Sequence, residues 1–512
     1  MKQSSAIETL DRYIRAKYPL IAVVSHEETR VLSSLSAIAT KRGRTVATWS
    51  TTQGMQGLPG LDSDSTREPV VALEAILAYD PSAAPVLFVL KDLHNLLGDP
   101  MIVRYLRDVA AKFETSRHNV ILLSPTFQVP SDLDKSVVVI DWPLPDVAEL
   151  EAILTQCKND LPSRIPYTLN GNKEKVVQAM RGLTAFEAGS VLLSAIAATG
   201  ELGDSVVPYI VGEKSQIIRK SGVLEFYDTT TTMNQVGGLS YLKEYAQVKR
   251  NAFSAEASAA GVDSPKGVLL VGIPGTGKSL AAKAIAGGQM PLLRMDIGAL
   301  MGSLVGQSES NMRQALKVAE AIAPCVLWVD EIEKALGGMG GSESDGGTTM
   351  RVFGTLLTWM QETSAPVYVI ATANDVRSLK PELLRRFDDV FWVDLPNSSD
   401  RQQVLSVHLA KRQKDPAAFN LAAVADRTWG FTGAELEKVV KSAIEKAFFQ
   451  KQTLTTAHLL SAASQIVPIG NTMGEKIAEL RTWSQGRALE ASEPLEPRPV
   501  QRGNTTTRTE DL

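Results

Sequence analysis

Gly267-Val268-Leu269-Leu270-Val271-Gly272-Ile273-Pro274-Gly275-Thr276-Gly277-Lys278-Ser279 decides the reading of this chain. An apolar run of strand length, 267–271, enters a loop of pattern G-x-x-x-x-G-K-S. A helix-forming run, Lys278–Ala286, leaves it. Strand, glycine loop and helix in that order make a phosphate cradle. The glycines let backbone N–H groups approach an anion with no Cβ in the way. The helix presents its positive end to the same point. Gly272, Ile273, Pro274, Gly275, Thr276, Gly277, Lys278, Ser279 and Leu280 are therefore expected to surround the phosphates of ATP. Lys278 would reach the β and γ phosphates, and the Ser279 hydroxyl would ligate Mg²⁺.

Two strand ends complete the expectation. Val326–Val329 is apolar and ends in Asp330-Glu331, at the head of a sheet where the loop also lies. Asp330 is expected to hold Mg²⁺, and Glu331 to polarise the attacking water as general base. Standing alone, the two acids would read equally well as a helix cap. Val367–Asn374 reads as a strand ending in a polar amide, Asn374, expected to orient the lytic water. Standing alone, Asn374-Asp375 reads as a turn.

The chain of 512 residues is long enough for two to four domains. Its apolar fraction of 44% and charged fraction of 21% are ordinary for a globular protein. A net charge of −4 gives no global field for nucleic acid or anionic lipid. Cys157 and Cys325 lie in apolar runs, so free buried thiols and a reducing cytoplasm are expected. No apolar run approaches the ~20 residues of a membrane span.

Strands alternate with helices twice along the chain. Residues 1–145 read as an α/β domain, with buried strands at Leu20–Val24, Thr45–Trp49, Val86–Leu90, Asn119–Leu123 and Val137–Ile140. Residues 51–68 read as loop, 146–210 as helical and 211–232 as a connector. The plan then repeats: an α/β core at 233–398, a helical lid at 399–482 and a disordered tail at 483–512. The segment 182–188 echoes 430–436, and the repeat is placed at about 220 residues. The fold class expected is a three-layer P-loop α/β sandwich with a parallel sheet and helical lid. A degenerate P-loop-like domain with its own helical segment precedes it.

The order of phosphate loop, acidic strand end, Asn strand end, paired arginines and Gly430-Phe431-Thr432-Gly433-Ala434-Glu435-Leu436 resembles the AAA ATPases in the narrow sense. Gln235-Val236-Gly237-Gly238-Leu239 resembles their adenine-wrapping segment. Arg401–His408 resembles the first lid helix, and Gly433-Ala434 the nucleotide-facing turn of the lid. The resemblance thus implies adenine contacts from Val236, Gly237, His408, Gly433 and Ala434. It also implies that Arg385 or Arg386 reaches a neighbour's site in a ring, most simply a homo-hexamer. More narrowly, the chain resembles the AAA protein encoded in many plastid genomes and in cyanobacteria. The connector Ile217–Tyr227 and the strand Phe391–Pro396 carry that likeness.

Three departures temper the functional expectation. Arg385 and Arg386 are adjacent, where the family spaces its arginines by two residues. Leu304 stands where threading motors place a pore-loop aromatic, and 337–347 reads as a flexible glycine loop. In the first half Ser25-His26-Glu27-Glu28-Thr29-Arg30 follows the first strand, with carboxylates where phosphate would sit. The leading expectation is an ATP-driven ring that remodels a protein partner. A slow switch or scaffold is the alternative, and a nucleic-acid motor ranks last for want of a basic–aromatic run.

Overall fold

The computed structural model describes residues 3–497, apart from 59–61, 170–172, 221, 228–230, 254–256, 258–259, 288–289, 302–306, 335–342, 377–378 and 380. It divides into two compact units, Met1–Gln216 and Ile217–Leu512.

In the first unit the strands are β1 Leu20–Val24, β2 Thr45–Ser50, β3 Gly54–Gln56, β4 Val86–Lys91, β5 Asn119–Ser124 and β6 Val137–Asp141. Their order is β3-β2-β4-β5-β1-β6, parallel throughout except for the β2–β3 hairpin. The central strands are buried on both faces, as parallel strands covered by helices must be. Leu20 and Ala22 of β1 join the core with Phe88 and Phe113. Ile21 and Val23, one residue out of phase, join the opposite core with Leu10 and Leu35. Helices Val147–Asp160, Lys173–Met180, Ala185–Thr199 and Val206–Lys220 follow. The first and third of these open on capping boxes, Asp146/Glu149 and Thr184/Glu187.

The second unit carries β7 Leu224–Tyr227, β8 Gly267–Gly272, β9 Leu292–Met295, β10 Cys325–Val329, β11 Val367–Ala373, β12 Asp389–Val393 and β13 Leu489–Glu490. Their order is β13-β12-β8-β11-β10-β9-β7. The run β12-β8-β11-β10-β9 repeats the run β6-β1-β5-β4-β2 of the first unit. Lid helices Ser398–Ala410, Leu421–Arg427, Gly433–Phe449 and Thr456–Ala463 pack around Leu405, Val424, Val439 and Leu459. The two free cysteines are buried, Cys157 in a helix and Cys325 in β10. No helix among the described residues is long and apolar enough to cross a membrane.

Five sequence expectations change. The repeat is longer than 220 residues: 248 positions separate the capping threonines Thr184 and Thr432. The 51–68 loop contains β3, whose residue Met55 is fixed by Thr66. The connector is largely regular. Residues 211–220 continue a helix, and 224–227 form β7, antiparallel on the edge of β9. Of the 337–347 glycine loop, residues 343–347 begin the helix Glu343–Glu362; 337–342, like Leu304, lie outside the described residues.

The fifth change concerns the tail. Helix Gly474–Ser484 sends Ile477 and Leu480 into the core, and β13 then pairs with β12. Ala491 is buried; its N–H donates to the Trp392 carbonyl, and its own carbonyl accepts from Tyr241 and Leu242. Arg401, 1% exposed, donates to the carbonyls of Ala425 and Pro396 and to the Glu496 carboxylate. A buried guanidinium requires a counter-charge, and Glu496 supplies it. Residues 484–497 are therefore held by backbone bonds, by side-chain bonds from Asn397 and Trp429, by the packing of Ala491 and Leu495 and by one ion pair, contacts too scattered for hydrophobic periodicity to register. Glu496→Gln is expected to lower stability by about 1–3 kcal/mol, a value reduced because Glu496 is partly exposed. Arg401→Leu in the same chain should recover part of that loss in a denaturation double-mutant cycle. A tail disordered from 483 onward would leave both variants additive.

Candidate nucleotide site

β8 delivers the loop. A Cβ on Gly272 would stand 2.1 Å from the Val393 carbonyl of β12, so only glycine lets the strands approach there. Gly275 and Gly277 hold φ of +82° and +99°, where a side chain would be strained. Helix Lys278–Ala286 starts at once after Gly277. Lys278 is 5% exposed, and its ammonium donates to the carbonyls of Gly272 (2.9 Å) and Ile273 (2.8 Å). Burial brings its proton affinity down to about 8, against the pull of Glu333, Asp330 and Glu331. Thr276 closes the loop by donating to the Ile273 carbonyl, and Leu280 lies partly exposed on the first helical turn.

The acids meet this loop because β11 lies between β8 and β10. Asp330 Oδ1 accepts from Ser279 Oγ at 3.1 Å and from Thr372 Oγ1 at 2.6 Å. Thr372 in turn accepts from the Glu331 N–H at 3.0 Å. Glu331 sits at φ +50°, a strained value for a residue with a side chain. Its carboxylate accepts from Asn374 Nδ2 at 3.1 Å and pairs with Lys334. The Asn374 N–H donates to Glu333 Oε1 at 2.9 Å. Glu333 is buried, its other oxygen has no hydrogen-bond partner among the described residues, and burial pushes its carboxyl up. A hydroxyl and a carboxylate side by side are hard oxygen donors that fit Mg²⁺. Among the described residues no group of three or more His, Cys, Asp or Glu could hold a metal by itself. Phosphate and water would have to complete the shell.

The lid closes one side. Val236 is buried, and Gly237 lies so near the lid that a Cβ would stand 2.6 Å from Val404 Cα. Gly238 N–H donates to Gln403. The Ala434 N–H donates to the Gly275 carbonyl at 3.0 Å, and Gly433 packs beside it. A cleft is lined by Gly237, Thr276, Pro396, Val404 and Gly433. His408, one turn beyond Val404, stands 4.0 Å from Glu437, and burial lowers its proton affinity. Arg385 and Arg386 lie elsewhere. They precede β12, whose first residues pair with the start of β8, at the end of the sheet opposite the loop. Arg385 is exposed, and the Nε of Arg386 is buried with no hydrogen-bond partner among the described residues.

Sequence reasoning missed Thr372, Glu333 and Arg294. Thr372 was detectable, since strand alternation puts it on the same face as Asn374 two residues on. Arg294 of β9, whose Nη2 is 3.9 Å from Asp330 Oδ2, carried no signal.

The first unit answers the same geometry differently. Arg30 lies 248 positions before Lys278, and Glu27 the same distance before Gly275. Glu27 pairs with Arg30 and accepts from the Ala185 N–H at 2.6 Å, at the start of the lid-like helix Ala185–Thr199. Arg30 also donates to Glu149 at 3.2 Å and to the Pro143 carbonyl at 2.7 Å. The loop after β1 thus carries a carboxylate at the position that Gly275 holds in the second unit.

Known proteins agree with this arrangement. Residues 268–395 match the ATPase family associated with various cellular activities, AAA. Residues 6–142 match the N-terminal domain, and 148–221 the second domain, of SpoVK-like AAA ATPases. The uncharacterised AAA domain-containing protein ycf46 of Guillardia theta is 36% identical over 94% of this chain and 95% of its own. That of Pyropia yezoensis is 36% identical over 94% and 98%. The ATP-dependent zinc metalloprotease FtsH of Acholeplasma laidlawii is 36% identical over 41% of this chain and 34% of its own length. Loop, paired acids and asparagine lie inside the matched AAA region, and likeness to the ycf46 proteins runs through both units: the chain belongs to the AAA ATPase family, with SpoVK-like domains ahead of its ATPase domain.

Proposed function

We propose that this protein is a Mg²⁺-dependent ATP hydrolase that works as a ring, most simply a homo-hexamer, and remodels or regulates a protein partner in the cytoplasm. The observation that carries the reading is the convergence of Lys278, Ser279, Asp330, Glu331 and Asn374 at one end of one sheet. Lys278 would leave its loop carbonyls for the β and γ phosphates. Ser279 and Asp330 would hold Mg²⁺, which neutralises phosphate charge when bound. Glu331 would take the proton of the water that attacks the γ phosphorus, giving ADP and phosphate, with Asn374 orienting it. Val236, Gly237, Gly433, Ala434 and His408 would enclose the base.

Arg385 and Arg386 stand at the far end of their own sheet, away from their own loop, so a role at a nucleotide would have to be played at a neighbouring protomer's site. That supports a ring in which each site is completed in trans. One observation favours a second reading, a switch with slow turnover: Glu331 is engaged by Asn374 and Lys334 and must be released to act.

Lys278→Ala is expected to abolish ATP binding by the whole chain, because Glu27 and Arg30 leave the first unit no vacancy. Calorimetry that finds a remaining site would refute the filled first unit. Glu331→Gln should bind ATP while turnover falls by roughly 10²–10⁴-fold, the usual worth of a general base. The free protein holds Lys278 at about 8, whereas phosphate must raise it. ATP binding should therefore take up a proton near that pH, and affinity should decline above it. Calorimetry in buffers of different ionisation enthalpy reads this uptake; none at all would mean that Lys278 does not pair with phosphate. Arg385→Ala and Arg386→Ala should each be mixed with Glu331→Gln protein. Activity is expected to return for the trans arginine, because a mixed ring joins an intact Glu331 to an intact arginine. Mixed rings that regain nothing with either variant would sink the trans assignment.

A further inference from the structure

Arg294 of β9 lies directly across from Glu225 of β7 in the antiparallel register. Its guanidinium is divided between two carboxylates. Nη1 donates to Glu225 Oε2 at 3.2 Å, and Nη2 stands 3.9 Å from Asp330 Oδ2. The guanidinium lies over the Trp328 ring, 5.4 Å from its centroid, which limits where it can go. Tyr227, also on β7, donates to the same Glu225 oxygen at 3.0 Å.

The arrangement matters because Asp330 is already committed on one side. Its Oδ1 accepts from Ser279 and Thr372, so Oδ2 is the oxygen that shares its charge between Arg294 and a metal shell. A guanidinium drawn closer would neutralise Asp330 and repel a divalent cation. Glu225 opposes that by holding Arg294 through a directly opposed, charge-assisted hydrogen bond.

We propose that Glu225 and Arg294 are positioning residues for Asp330, through which the edge strand β7 sets how strongly the site holds Mg²⁺. The proposal rests on the ATPase reading above. It also gives β7 a role beyond covering a sheet edge. β7 is the first strand after helix Val206–Lys220, and the Val223 carbonyl beside it is bonded by the Asp296 N–H just past β9. A shift of that strand would be felt at the metal acid through a single side chain.

The test reads metal affinity directly. Mn²⁺ is titrated by electron paramagnetic resonance into whole protein holding saturating ATP, and the Mg²⁺ requirement for turnover is measured beside it. Glu225→Gln is expected to weaken Mn²⁺ binding by about tenfold, the order of a one-charge change in a partly screened site. Metal-free ATP binding in chelator should hold near the wild-type level. Glu225→Asp, which keeps the charge, should recover most of the loss. Adding Arg294→Met to Glu225→Gln should return metal affinity to the wild-type value or above. A residue that merely stabilised the strand would instead make the double variant worse than the single. Wild-type metal affinity in Glu225→Gln, or a double variant weaker than the single, would overturn the proposal. A wild-type protein that binds ATP but gains no Mn²⁺ would instead overturn the ATPase reading, and this inference with it.

Discussion

A lysine ammonium 5% exposed to solvent is the constraint around which the second unit is built. Taking that charge out of water is costly unless other groups replace the water. In Lys278 the replacement comes from two loop carbonyls and from the acids at the end of β10. The debt runs both ways. Asp330, Glu331 and Glu333 crowd three carboxylates into four residues, and Lys278 supplies the attraction that lets them stay. The strand order makes the exchange possible. With β11 between β8 and β10, the loop, Thr372 and Asp330 share one end of one sheet, and Thr372 ties Asp330 to the backbone of Glu331.

The two sheet edges of this unit are closed by short strands, of which β7 sends Leu224 into the core. β7 brings Glu225 and Tyr227 to β9, and β13 brings Leu489 and Glu490 to β12. Each edge is secured by charge as well as by backbone bonds: Glu225 with Arg294 on one side, Glu496 with the buried Arg401 beyond the other. Edge strands this short, carrying charge, present little of the unpaired N–H and C=O row that invites association with other strands.

These edges are where sequence reading ran out. The interior strands declared themselves as continuous apolar runs, and strand Leu20–Val24 and helix Lys278–Ala286 appear with the bounds read from them. Loop, acids and Asn374 were legible because local spacing carries their chemistry. β7, β13 and the 484–497 segment were not, because what holds them is long-range: Arg401 meets Glu496 across 95 positions. The repeat length was underestimated for the opposite reason. Pattern gives order readily, whereas the offset of 248 emerges only when equivalent capping boxes are matched.

The same matching shows what separates the halves. In both, a lid helix opens on a Thr-x-x-Glu capping box and aims an N–H at the loop after β1 or its counterpart β8. In the second half the Ala434 N–H meets the backbone carbonyl of Gly275, a neutral bond worth about 1 kcal/mol net and readily exchanged. In the first half the Ala185 N–H meets the Glu27 carboxylate, itself buried and paired with Arg30. That bond is charge-assisted, worth about 1.5–3 kcal/mol, and Arg30 holds the carboxylate in place to receive it. The first lid is thus fastened by the protein's own anion. The second rests on a weak neutral contact that a phosphate would replace at little cost, and this difference is what the proposed nucleotide response of the second unit would use.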